Sequence, residues 1–110
     1  MTTYRVSVLG RAERDADAIA RWLSKRSPWG ATRWLLAYDS AKEKLSRDPL
    51  AYGLAPEDSR VDFELRQIFF KTSRGKRYPA VFTVAADEVR ILRVRGPHQQ
   101  LLRRKDLRTE

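Results

Sequence analysis

The stretch from Glu64 to Arg95 constrains this chain more than any other. It reads Glu-Leu-Arg-Gln-Ile-Phe-Phe (64–70), Lys-Thr-Ser-Arg-Gly-Lys-Arg (71–77) and Tyr-Pro-Ala-Val-Phe-Thr-Val (78–84). Ala85-Ala86-Asp87 then leads into Glu-Val-Arg-Ile-Leu-Arg-Val-Arg (88–95). Aromatic and β-branched residues dominate, as they do on half-buried pleated surfaces. Turn residues bracket the runs, Ser73-Arg74-Gly75 at one end and Ala86-Asp87 at the other. The pattern predicts three antiparallel strands joined by two turns. The first turn carries Lys71, Arg74, Lys76 and Arg77 and no acid. A cationic loop on a stiff sheet suits a phosphate or a carboxylate.

What precedes the three strands decides how their apolar side is covered. Tyr4 to Leu9 alternates as a strand, with Tyr4, Val6 and Val8 on one face. From Arg11 to Arg26, Ala12, Ala16, Ile19 and Leu23 recur at helical spacing, and Trp22 widens the stripe. Acids in the early turns and Lys25 and Arg26 in the last turn suit the helix dipole. Ser27-Pro28 then signals a new helix start, with Ser as N-cap and Pro at the first helical position. The second helix runs to about Arg47 on a stripe of Ala31, Trp34, Leu35, Tyr38, Ala41 and Leu45, and Asp48-Pro49 ends it. With only a tight turn between them, the helices are expected to form an antiparallel hairpin.

Leu50 to Asp62 reads as an irregular connection, and Gly96-Pro97 stops the last strand. Residues 99–110 read as a basic tail, either a short helix or disordered when free. The expected fold is α+β, in the order β-α-α-β-β-β. Its four-stranded, mainly antiparallel sheet carries the helical hairpin on one face and leaves the other partly open, with the first strand at the far edge of the meander. The 110 residues suit a single domain, 1–110.

Charge narrows the partners. The formal net charge is +9. Residues 64–110 hold 12 Lys and Arg against 5 Asp and Glu, so the excess lies on the sheet and tail. Such a field favours nucleic acid or an acidic protein. The chain has no Cys, which excludes disulfides, thiolate catalysis and Cys-ligated zinc. No glycine loop of the phosphate-cradling kind and no metal-spaced His and carboxylate cluster is present, so no cofactor and no metal are expected. No apolar run approaches the roughly 20 residues of a membrane span. The N-terminus lacks a signal-peptide core. The expectation is a soluble cytoplasmic protein with no membrane partner.

Several stretches together resemble a toxin of the RelE/ParE superfamily, the plasmid stabilisation family of bacterial type II toxin–antitoxin systems. Ala12-Glu-Arg-Asp-Ala-Asp-Ala-Ile19 is similar to its first helix. Pro28 and Ala31-Thr-Arg-Trp-Leu-Leu-Ala-Tyr-Asp39, ending at Asp48-Pro49, are similar to its second. Glu64 to Ile68 with Arg77 to Phe82 resembles the paired central strands. Val89 to Val94 with Gly96-Pro97-His98 resembles the last strand and its exit. The resemblance covers nearly the whole chain and rests on pattern and element order. It implies a growth inhibitor neutralised by a cognate antitoxin that covers helices and sheet. RelE-like members cut mRNA on the ribosome without metal, and ParE-like members poison DNA gyrase. A basic nucleic-acid-binding protein, or a degenerate toxin without catalytic activity, is the alternative.

The resemblance also implies a site. Metal-free RNA cleavage needs a base for the 2′-OH, cations for the pentavalent phosphate and an acid for the leaving oxygen. Lys71, Arg74, Lys76 and Arg77 stand where the family has phosphate-binding basics. Where many of its nucleases have Arg directly after the aromatic, this chain has Pro79 after Tyr78, with Arg77 before it. Adjacent strand residues point to opposite faces, so the exchange is not neutral. His98 falls near a family acid/base position, which makes Arg77 and His98 the candidate catalytic pair. Arg66, Arg93 and Arg95 form a candidate strip over the open face, for RNA phosphates, an antitoxin's acids or plain solvent. Aromatics at helical or strand spacing read as core; Trp29, in the interhelical turn, is the expected exception.

Overall fold

The computed structural model describes residues 3–97 and 99–109. Strand β1 (Arg5–Val8) leads into helix α1 (Gly10–Arg26), then α2 (Pro28–Arg47), β2 (Arg66–Phe70), β3 (Tyr78–Ala85) and β4 (Glu88–Val94). One residue joins the helices. The Ser27 N–H donates to the Leu23 carbonyl and closes α1, while its hydroxyl accepts the Gly30 N–H at 3.0 Å and opens α2. Pro28 adds a backbone already set for a helical first turn.

The sheet order is β1-β4-β3-β2. Strands β2, β3 and β4 form the expected antiparallel meander. Strand β1 takes the far edge and runs parallel to β4, from Arg5 beside Glu88 to Val8 beside Ile91. The sheet is therefore mixed. A two-residue turn joins β3 to β4, with Ala86 in the left-handed region at φ 56°.

Both helices pack on one face. Ala12 and Ala16 of α1 and Trp34, Tyr38, Ala41 and Leu45 of α2 meet Ile68, Phe70, Tyr78, Ala80, Phe82, Val89, Ile91 and Val94. Tyr4, Val6 and Val8 pack at its border, as the alternation predicted. Trp34, Tyr38, Phe70 and Tyr78 form an aromatic cluster, with ring centroids 5.3–6.1 Å apart. Trp22 and Leu35, both assigned to the helical stripes, are exposed instead. Each lies one position from a stripe that small alanines and long aromatics already fill.

The second face of the sheet is partly covered, and stays open at the Phe69 and Pro79 end. Ala55, Val61, Phe63 and Leu65 from the connection, and Leu102 and Leu107 from the tail, close over Val81 and Leu92. A β-bulge explains part of this. Val81 pairs with Arg93 and Phe82 with Ile91, so Leu92 is an extra residue directed into this smaller core. The connection is ordered by two 3₁₀ turns, Pro49–Ala51 and Pro56–Arg60. The described tail is helical only over one short turn. It is a strap with one 3₁₀ turn, Arg104–Asp106. Burying Leu102 and Leu107 stabilises it by about 1.5–3 kcal/mol per side chain. Polar contacts fix its path: Arg60 donates to the Leu102 carbonyl at 2.7 Å, Arg11 to that of Lys105 at 3.0 Å, and Arg104 pairs with Asp62 at 2.7 Å.

Candidate functional site

The β2–β3 loop stands at the end of the sheet, and Lys71, Arg74, Lys76 and Arg77 are all exposed there. The Gly75 N–H closes the turn on the Thr72 carbonyl at 3.1 Å. Among the described residues three hollows border the loop, and two of them take in Lys76. The smaller of these two, about 350 Å³, is lined by Phe69, Lys76, Arg77, Pro79, Arg95 and Pro97. The larger, about 670 Å³, lies on the helix side. Its walls include Ile19, Trp22, Leu23, Trp34 and Tyr78, with Arg26, Arg74 and Lys76 among its basic residues.

The smaller cavity is where the sheet's cations meet. Arg77 lies 4.2 Å above the Phe69 ring, a cation–π contact that holds the guanidinium at the mouth. Arg77 and Pro79 line the same cavity. They are two residues apart and so share a side of the strand. The expected opposition of faces separates each of them from Tyr78 and does not separate them from each other. Pro79 presents no charge, and Arg77 stands beside it.

The strip of Arg66, Arg93 and Arg95 does not form, because Arg66 lies on the helix side and each guanidinium has an internal partner. Arg66 shares the helix side with Ile68 and donates to the Tyr52 carbonyl while pairing with Glu64. Arg93 is gripped by Asp15 of α1, with Nε to Oδ2 at 2.7 Å and Nη2 to Oδ1 at 3.0 Å. The same carboxylate accepts the Val94 N–H at 3.0 Å. Strand β1 ends opposite Ile91, so Asp15 takes over the β4 edge just past it. The hydrogen bond to Asp15 raises the Arg93 pKa further above its usual value. Arg95 Nε lies 3.1 Å from the fully buried Glu57 carboxylate. Of the three, only Arg95 lines the cavity.

Lys71 sits apart, in a hollow between β2 and α2 with Phe69, Arg77 and Lys44. His98 lies outside the described residues; its neighbours Pro97 and Gln99 line the larger groove. Trp29 is exposed, as expected. Two acids that shape the site, Asp15 and Glu57, carry no sequence signal of that role. Asp15 reads as a helix-dipole acid and Glu57 as one of several acids in an irregular stretch.

The described lining of this cavity is cationic: Lys76, Arg77 and Arg95 contribute to it, and no carboxylate among the described residues does. Tyr78 is buried in the aromatic cluster on the other side, and burial raises its phenol pKa, which disfavours its use as a base. Among the described residues no three His, Asp or Glu side chains gather as metal ligands would. No described helix is long and apolar enough to cross a membrane. Compared with known proteins, the chain matches no protein-family model and no curated protein.

Proposed function

We propose that this chain is the toxin of a type II toxin–antitoxin pair of the RelE/ParE superfamily, a growth inhibitor held inactive by a cognate antitoxin. The observation that carries the reading is the element order: a strand, two helices joined through one residue, and a three-stranded meander whose first turn is a cationic loop. That order is what the sequence resemblance implies. An acidic antitoxin segment suits the larger groove, whose walls are apolar and whose edge carries Arg26 and Arg74.

The character of the cavity supports one target over the other. Lys76, Arg77 and Arg95 can hold an anion, but the described lining lacks an acid and a base. Inhibition by binding fits this lining better than inhibition by cutting. Within the resembled family, DNA gyrase is the target of members that do not cut. Ribosome-dependent mRNA cleavage is the second reading, favoured by the phosphate-ready loop and dependent on Arg77 and His98.

Inducing the protein in cells separates these readings. Growth arrest with gyrase-linked DNA breaks and intact mRNA supports the first. Arrest with new mRNA ends, lost on Arg77→Gln or His98→Ala, supports the second. Normal growth with neither signal rejects the toxin reading and leaves a basic nucleic-acid binder.

A further inference from the structure

Among the described residues, Glu57 is the one acidic side chain with no exposed surface. Its Oε2 lies 3.1 Å from Arg95 Nε and accepts the Leu102 N–H at 3.1 Å. Its Oε1 finds no hydrogen-bond partner among the described residues. A buried ion pair adds little net stability over apolar packing, and an incompletely satisfied one is a weak link in a buried network. Stability alone therefore does not account for a carboxylate here. Its contacts do: one oxygen joins the strap, through Leu102, to a cation of the cavity.

Arg95 is placed to matter. Its backbone N–H donates to the Pro79 carbonyl at 3.0 Å, and its Nη1 to the Gln99 carbonyl at 3.3 Å. It lines the cavity with Lys76 and Arg77, yet its side chain is only 11% exposed. Its charge is neutralised from behind.

We infer that Glu57 is a positioning residue that withholds Arg95 from the cationic cavity and ties it to the C-terminal strap, so that a nucleic-acid phosphate entering the cavity recruits Arg95 by displacing Glu57 and loosening the strap. The three groups form one latch. With the strap seated, Glu57 holds Arg95 and the cavity presents Lys76 and Arg77. When phosphate draws Arg95 forward, Glu57 loses its ion pair, and the Leu102 N–H is the one contact among the described residues left to hold its carboxylate, which loosens the strap there. The inference concerns the cavity alone and stands whether or not the chain is a toxin.

The test measures binding of a short fluorescent oligouridylate to the full chain by anisotropy across a salt series. Glu57→Gln frees Arg95 while keeping an acceptor for the Leu102 N–H. It is expected to bind several-fold tighter with the salt dependence little changed, because Arg95 meets phosphate in both complexes and the variant no longer breaks an ion pair to bring it there. Adding Arg95→Gln to it should abolish the gain and make the salt dependence shallower than that of the wild type by about 0.7, the increment for one phosphate contact on a single strand. Glu43→Gln, an equal charge change on an exposed face of α2, should alter neither. In the wild-type chain, saturating oligouridylate should speed amide exchange at Leu102. No gain in affinity in folded Glu57→Gln, a gain or a wild-type slope that survives loss of Arg95, or a matching gain in Glu43→Gln overturns the inference, as does unaltered exchange at Leu102. Should Glu57→Gln fail to fold, Glu57→Met suits the buried position and is read in the same way.

Discussion

Replacing Asp15 with Ala tests whether the β4 edge is held as the structure indicates. The carboxylate accepts three hydrogen bonds, two from Arg93 and one from the Val94 N–H. Both side chains retain only 17% exposure, so solvent screens the pair weakly. Removing one partner of a buried pair costs about 3–5 kcal/mol. The remaining exposure, and the Asp106 carboxylate 3.9 Å from Arg93, reduce that to about 2–3 kcal/mol. For a chain of this size the loss corresponds to a fall in Tm on the order of 10 °C or more. Urea unfolding followed by tryptophan fluorescence measures the free energy, and amide exchange at Val94 reports the edge itself. Asp15→Asn keeps one acceptor and should lose about half as much. A cost for Asp15→Ala below about 0.5 kcal/mol, the range of an unremarkable surface change, would refute the argument. So would unaltered exchange at Val94.

Arg93→Gln should lower stability by an amount similar to Asp15→Ala and leave the salt slope of oligouridylate binding unchanged, whereas Arg77→Gln should make that slope shallower by about 0.7 with little loss of stability; anisotropy and urea titration on both variants check this. Ala86→Gly should stabilise the chain by about 0.5 kcal/mol, because a non-glycine residue at φ 56° is strained and glycine's added unfolded-state freedom offsets only part of the relief; thermal denaturation by circular dichroism measures it. The backbone hydrogen bond from Arg103, with Arg93 nearby, lowers the Asp106 pKa, and hydrogen bonds from Ser7 and Arg90 lower that of Glu88. A depressed carboxyl pKa contributes stability above its unfolded value, so both contributions should be present at neutral pH and be lost as pH falls below about 4. Asp106→Asn should flatten that acid limb in a pH series of urea midpoints.

The helix-side half of the molecule was legible because period and chemistry agree there. Ala12, Ala16, Trp34, Tyr38, Ala41 and Leu45 follow helical spacing onto one core, and Ser27-Pro28 carries both the stop and the start. The second face was not legible, for two physical reasons. Its cover comes from segments without periodicity, where Leu65, Leu102 and Leu107 are placed by individual polar anchors. The bulge at Leu92 also breaks the two-residue alternation of β4, so the face assigned to Arg93 and Arg95 by counting was wrong about what lies over it.

The same distinction governs the site. Counting Lys and Arg located the cationic end, since the loop from Lys71 to Arg77 contains no acid to neutralise it. It could not tell a cation that faces a ligand from one already held by the fold, because the neutralising acid is distant in sequence. Asp15 is 78 residues from Arg93 and Glu57 is 45 from Leu102. Arg77 is the contrasting case. It is held by an aromatic ring, Phe69, whose attraction fixes the guanidinium's position without neutralising its charge. A positioned and uncompensated guanidinium is what binding a phosphate requires. Among the cations of the cavity, Arg77 is therefore the one whose described contacts leave its charge facing outward, and Pro79 beside it adds no charge of its own.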